Sequence, residues 1–375
     1  MTLRLIARAA GSWRNGLLIA VLLGLSAAAS AAEPKVLNVY NWAEYLPAGL
    51  LAAFEKETGI KVRYDTYDSN EVLNAKLVAG RTGYDIVVPS ANWAALQIQG
   101  GMFRKLDKAR LTRWGNLDPT MLARLAAVDP GNQYLVNWAW GYLTIGINVG
   151  KVKAALGATP LPDNAWALLF DPKYSNKLKS CGISMLDSAT EVFPAALAYL
   201  GKDPFSANAA DYREAARVLK TIRPNIKVFS SSGYIDDMAN GGLCMAFGSS
   251  GDFNIAGRRA RDAGAGNTVT PLLPKTGGLL FMDSMAIPAD APHPDNAHLF
   301  INFILRPENA AAITNKMFYA TMNAASVKLV ARDIAANRTI FISDEDKRKL
   351  IASRLLDQNT RRLVTRLFTQ FKTGI

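Results

Sequence analysis

The sequence predicts an α/β fold in two lobes, and three observations carry that prediction. Strand-like apolar runs alternate with helix-like segments from Val36 onward, the pattern of a parallel sheet with helices on its faces. About 343 residues follow the leader, more than one comfortable core holds, so two domains are expected. No internal repeat, low-complexity tract or long linker separates two modules, which favours interleaved lobes over beads on a string.

The leader comes first. Arg4, Arg8 and Arg14 precede an apolar or small run from Gly16 to Ala29, and Ala29-Ser30-Ala31 fits a small-x-small cleavage site. The run falls short of the roughly 18 residues a span needs, so residues 1–31 read as an export signal and not as an anchor. No cysteine stands at the cleavage site to carry a lipid, and the leader has no Arg-Arg pair. A free periplasmic protein is expected. Losing three arginines and no acids takes the formal charge from +12 to +9.

Val36 to Asn41 reads as a buried strand, and Leu46 to Thr58 as a helix with Leu50, Leu51 and Phe54 on one face and Gly59 as its stop. Ile60 to Tyr64, a helix over Asn70 to Ala79, and Tyr84 to Val88 complete a β-α-β-α-β run. Tyr134 to Trp140 and Leu143 to Val149 read as two strands around Gly141, placed to cross into a second domain. Cys244 to Gly248 and Leu279 to Ile287 read as later strands, and the tail from Asp344 as helical.

Cys181 and Cys244 make an even count in an oxidising compartment, which suggests one disulfide. Closing a loop of some 64 residues would stabilise the fold by roughly 4 kcal/mol in the chain-entropy model. There is no Cys-x-x-Cys, and His293 and His298 lie in a Pro-rich loop, so no metal and no cofactor is expected. Charge alone suggests a nucleic-acid binder. However, the lysines and arginines are scattered, and Lys347, Arg348, Lys349, Arg354, Arg361, Arg362 and Arg366 read as a solvated helix face. With export also against it, no nucleic-acid partner is expected.

Four acids sit beside aromatics, hydroxyls or glycines: Glu44, Glu191, Asp252 and Asp283. Ligands of open α/β sheets bind at the carboxyl ends of strands, and Glu44, Asp252 and Asp283 follow or interrupt predicted strands, as does Ser90. Each also has a bland reading. Glu44 suits a helix N-terminus, Glu191 a first turn capped by Ser188 or Thr190, and Asp252 a Gly-Ser-Ser-Gly turn. Asp283 is harder to dismiss, because an acid inside an apolar strand must find a partner if buried. Together the four suit a small organic cation, held by charge-assisted hydrogen bonds and by cation–π attraction.

Long co-linear stretches then resemble one family along almost the whole mature length. They include Val39-Tyr40-Asn41-Trp42, Phe54 to Val62, Asp68-Ser69-Asn70-Glu71-Val72-Leu73, Asp85 to Ala91, Leu178 to Gly182, Tyr199 to Pro204, Arg223-Pro224-Asn225-Ile226 and Phe318-Tyr319-Ala320. The chain resembles the periplasmic putrescine-binding proteins of polyamine ABC transporters, within the type II solute-binding superfamily. The resemblance implies two hinged lobes, each a mixed sheet flanked by helices. Residues 33–137 plus 257–311 would form one lobe, and 138–256 plus 312–375 the other. It implies a polyamine held between the lobes by Trp42, Glu44, Tyr45, Ser90, Glu191, Ser231, Asp252, Phe281, Asp283 and Tyr319. It also implies a disulfide between Cys181 and Cys244, delivery to a membrane permease, and a monomer.

Departures from the family pattern fall on the cleft. Ala43-Glu44 stands where Ser-Asp is usual, and Ser249 where an aromatic is usual, with Phe253, Trp138 or Trp140 as candidates to fill that gap. A wider pocket would favour spermidine, agmatine or another amine over putrescine. The rival class is a periplasmic hydrolase using paired carboxylates. No histidine lies near the acids, and Gly248-Ser249-Ser250-Gly251-Asp252 lacks the last glycine of a nucleophile elbow.

Overall fold

The computed structural model describes residues 33–374, so the signal expected over residues 1–31 lies outside the described residues. The following concerns the compact unit Lys35–Ile375.

The first sheet is the predicted parallel one. Strand β1 (Val36–Trp42) lies between β2 (Lys61–Tyr67) and β3 (Ile86–Val87), parallel to both. The first helix begins at Leu50, later than expected, and stops at Gly59, whose left-handed φ of 70° lets its N–H reach the Glu55 carbonyl. Phe54 is fully buried against Phe300 and Phe303. The helix Asn70–Ala79 is capped by Ser69, whose Oγ accepts from the Val72 N–H.

The second sheet is mixed and has seven strands. Its order is β10 (Ile351–Ala352), β9 (Leu279–Met285), β4 (Val136–Asn148), β7 (Met245–Ser249), β5 (Ile183–Met185) and β6 (Val228–Phe229), with β8 (Val269–Leu272) on the end of β4. Here two expectations are corrected. The strands expected on either side of Gly141 are one continuous buried strand, because β9 pairs straight through that position. Gly141 is needed for a different reason: a Cβ there would meet the Phe281 ring at 2.8 Å and the Tyr319 ring at 2.9 Å. The tail is also not one helix, since β10 separates Asp344–Lys349 from Gln358–Thr373.

Two hydrophobic cores result. One gathers residues from Leu37 to Tyr142 and from Leu280 to Leu350. The other gathers residues from Leu143 to Leu279 and from Leu356 to Phe371. Strands β4 and β9 pass from one core to the other at a single paired register, Tyr142 opposite Leu280 and Leu143 opposite Leu279. That paired crossing is the hinge of a two-lobed fold. The first core changes to the second between Tyr142 and Leu143, and the second to the first between Leu279 and Leu280. Cys181 and Cys244 are joined, their Cα atoms 5.4 Å apart, tying the approaches to β5 and β7.

Candidate ligand-binding cleft

All ten residues singled out from the sequence line one cleft of about 100 Å³ where the two lobes meet. The lining is built from strand ends and helix starts of both lobes. Trp42 ends β1, Ala43, Glu44 and Tyr45 follow it, and Ser90 is the cap position of the helix Ala91–Gln99. The Trp42 indole donates to the Val88 carbonyl at 2.8 Å, and its ring lies 4.7 Å from that of Tyr67.

Asp283 is the buried acid that the strand pattern demanded. It is 2% exposed, and β9 reaches back to the first sheet through a bridge between Asp283 and Ser90. The Ser90 Oγ donates to Oδ1 at 2.6 Å and the Tyr45 hydroxyl to Oδ2 at 2.5 Å. Both partners are neutral. Burial dominates over these hydrogen bonds and pushes the Asp283 carboxyl up to about 7, with Asp252 adding repulsion.

Asp252 sits at a helix start and not in the turn that its bland reading offered. Strand β7 runs directly into the helix Ser250–Asp262, and Asp252 is the third helical residue. The Tyr234 and Tyr319 hydroxyls donate to its two oxygens, each at 2.5 Å. The flanking glycines make room for these rings: a Cβ at Gly248 or at Gly251 would lie 2.4 Å from Tyr234 or Tyr319 respectively. Tyr319 belongs to the first core and Asp252 to the second lobe, so this hydrogen bond spans the cleft.

Glu191 is the third residue of the helix Ala189–Tyr199, after a cap position, Ser188, that makes no side-chain capping bond. The helix dipole favours its anion. Enclosure and the nearby Glu71 and Asp283 outweigh the dipole, and the carboxyl is pushed up to about 8. Enclosure likewise raises Glu71 and Asp252. Glu44 behaves oppositely. Its enclosure is outweighed by Arg259 at 3.0 Å and Lys316 at 3.4 Å, which hold its carboxyl below the usual range. Glu44 also adopts φ 65°, a strained backbone for a residue other than glycine.

Sequence reasoning missed Glu71, Ser188, Tyr67 and Tyr234. Glu71 obeys the rule that found Glu44, an acid at a helix start just past a strand, and was readable on that ground. The other three carry no such signal. Ala43 and Ser249 line the cleft, as the departures implied. The rings expected to replace the missing aromatic do not. Phe253 is fully buried beneath Gly146, and Trp138 and Trp140 are buried in the first core. The rings at the cleft are Trp42, Tyr45, Tyr67, Phe281 and Tyr319. Among the described residues no lysine, arginine or histidine lines it. No group of three or more His, Cys, Asp or Glu residues there could hold a metal ion.

Two lobes on paired crossing strands, closing over one acidic and aromatic cleft, define the type II class of solute-binding proteins. The chain belongs to the bacterial extracellular solute-binding protein family, whose model matches residues 49–340. It is 45% identical over 363 residues to the putrescine-binding periplasmic protein PotF of Escherichia coli (strain K12), covering 96% of this chain and 98% of PotF. The putrescine-binding periplasmic protein SpuD of Pseudomonas aeruginosa (strain UCBPP-PA14) is 45% identical over 359 residues, covering 95% and 98%. Among solved structures, the spermidine/putrescine ABC transporter substrate-binding protein PotD from Streptococcus pneumoniae matches with a TM-score of 0.74 and 28% identity, covering 91% of this chain and 99% of that one. No helix among the described residues is long and apolar enough to cross a membrane.

Proposed function

We propose that this chain captures a polyamine in the cleft between its lobes and delivers it to the permease of an ABC transporter. One observation carries the reading. Asp283, Asp252, Glu191 and Glu71 line a cleft walled by aromatic rings that holds no cationic side chain, so the positive charge must come from the ligand. Acids and hydroxyls take the ammonium ends, and Trp42, Tyr45, Phe281 and Tyr319 cover the methylenes. Ser90 and Ser231 complete the polar lining, and Glu44 stands at the mouth.

Putrescine is the first choice, because two relatives at 45% identity are putrescine-binding proteins. Its six heavy atoms, at a ceiling of about −1.5 kcal/mol each, set a limit near −9 kcal/mol. That corresponds to a dissociation constant on the order of 0.1–1 μM. A second reading, spermidine or agmatine, is favoured by Ala43 and Ser249, which leave room along the cleft wall.

In this reading the chain binds without catalysing, works as a monomer in the periplasm after residues 1–31 are removed, and has no nucleic-acid partner. The hydrophobic cores support lobes of 33–142 plus 280–350 and 143–279 plus 351–374. Closure about β4 and β9 would bury the ligand and present the surface that the permease reads.

The test is titration calorimetry on mature protein, unfolded and refolded to strip ligand, against putrescine, spermidine, agmatine and a neutral amino acid. Micromolar or tighter binding to one amine supports the reading. No heat with any amine from folded protein would refute it.

A further inference from the structure

The acids of the cleft form an ordered series. Glu191 feels Glu71 and Asp283, Asp283 feels Asp252, and Asp252 feels Glu44. Tyr45 and Ser90 hold Asp283, Tyr234 and Tyr319 hold Asp252, and Arg259 with Lys316 holds Glu44. At the other end, the Ser188 Oγ donates to Glu71 Oε1 at 3.4 Å, and Ser188 is the cap position of the helix that carries Glu191. Glu71 comes from the helix Asn70–Ala79 of the first lobe, and Glu191 from the helix Ala189–Tyr199 of the second.

We propose that Glu71 is a ligand-selecting residue, forming with Glu191 and Ser188 the seat for the ammonium farthest from Asp252. The inference rests on the polyamine reading above and deepens it. Neither sequence motif nor single-lobe geometry marks the pair, because it exists only where the two helix starts face each other.

The charge balance of this seat has a measurable consequence. The groups facing Glu71 are Thr190, Ser188 and Asp187, with Glu191 and Asp68 in the same lining, and Asp187 is engaged by Lys372 at 2.6 Å. Glu191 in addition faces Asp283. No cation of the lining offsets Glu71 and Glu191, so in the empty cleft the two carboxylates hold one proton between them. An arriving ammonium replaces that proton. The pair goes from one negative charge to two, the ligand keeps its own proton, and the displaced proton passes to solvent.

Calorimetry with putrescine, repeated in two buffers of different ionisation enthalpy, counts that proton. In wild type, affinity should rise by up to about tenfold per pH unit towards about pH 8 and then level off, with proton release to match. Glu71→Gln removes one of the two acids that raise Glu191 and leaves its enclosure in place. The affinity of this variant should rise less steeply with pH than that of wild type, with less proton release at neutral pH, and at the upper end lie about tenfold or more below wild type. Glu71→Asp should restore the release. A purely structural role for Glu71 would lower the melting temperature of the variant but leave the pH slope and the proton count unchanged, and that result would overturn the proposal. If Asp252→Ala abolishes binding while Glu71→Gln matches wild type at every pH, the polyamine reading stands and this inference falls. If wild type binds no amine, both fall.

Discussion

Glu44 and Glu71 are the same residue type, both exposed to cleft water and both lining the same cavity, yet their acidities move in opposite directions. Glu44, at the mouth, is met by Arg259 and Lys316. Glu71, elsewhere in the same lining, is met by hydroxyls and other carboxylates. The difference teaches that position in the cleft does not make an acid a cation receptor. A carboxylate that the protein has already neutralised has little left to offer a ligand. One that faces only neutral donors and other acids has its full charge in reserve.

The sharpest way to break the comparison is to remove interior acids. Asp252→Ala and Glu191→Ala should each weaken amine binding by roughly 30-fold or more in calorimetry, since truncating one side of an enclosed charge pair costs about 2–5 kcal/mol. The next effect is on stability. The folded Asp283 and Glu191 carboxyls keep protons to about pH 7 and about pH 8, whereas unfolded carboxyls release them near pH 4. Between those limits the folded state binds more protons. Stability of the empty protein is therefore greatest at the acid end of this window and falls as pH rises through it. Thermal melts should show a falling melting temperature from about pH 5 to 8, with putrescine opposing the fall most at the alkaline end.

A smaller effect sharpens the comparison by converting the mouth into interior. Removing both cations, with Arg259→Gln and Lys316→Gln together, should free Glu44 and raise amine affinity by about threefold to tenfold. Smallest of all, Glu44→Gln should change affinity by less than about fivefold, the scale of an exposed ion pair. A loss as large as that of Asp252→Ala would erase the distinction between mouth and interior.

The interior was partly legible in the sequence. Asp283 announced itself because an acid within Phe281-Met282-Asp283-Ser284 had to find partners, which proved to be Tyr45 and Ser90. The first parallel strands were legible from apolar runs punctuated by Gly59 and Ser69. Glu71 was passed over because, behind the Ser69 cap, it looks like any acid placed to suit a helix dipole. Local sequence also misled at Gly141, where a glycine between apolar runs reads as a turn unless the pairing with β9 is known. Nothing near Glu44 foretold its neutralisation, since Lys316 lies 272 positions away.

The central claim is that the cleft is built for a cation charged at both ends. The most direct measurement compares putrescine with 1-butylamine, a chain of the same carbon count with one ammonium, by calorimetry on refolded protein. The account predicts that butylamine binds at least about 100-fold more weakly, since one charged end leaves an acidic group unmatched. Equal affinity for the two would contradict it.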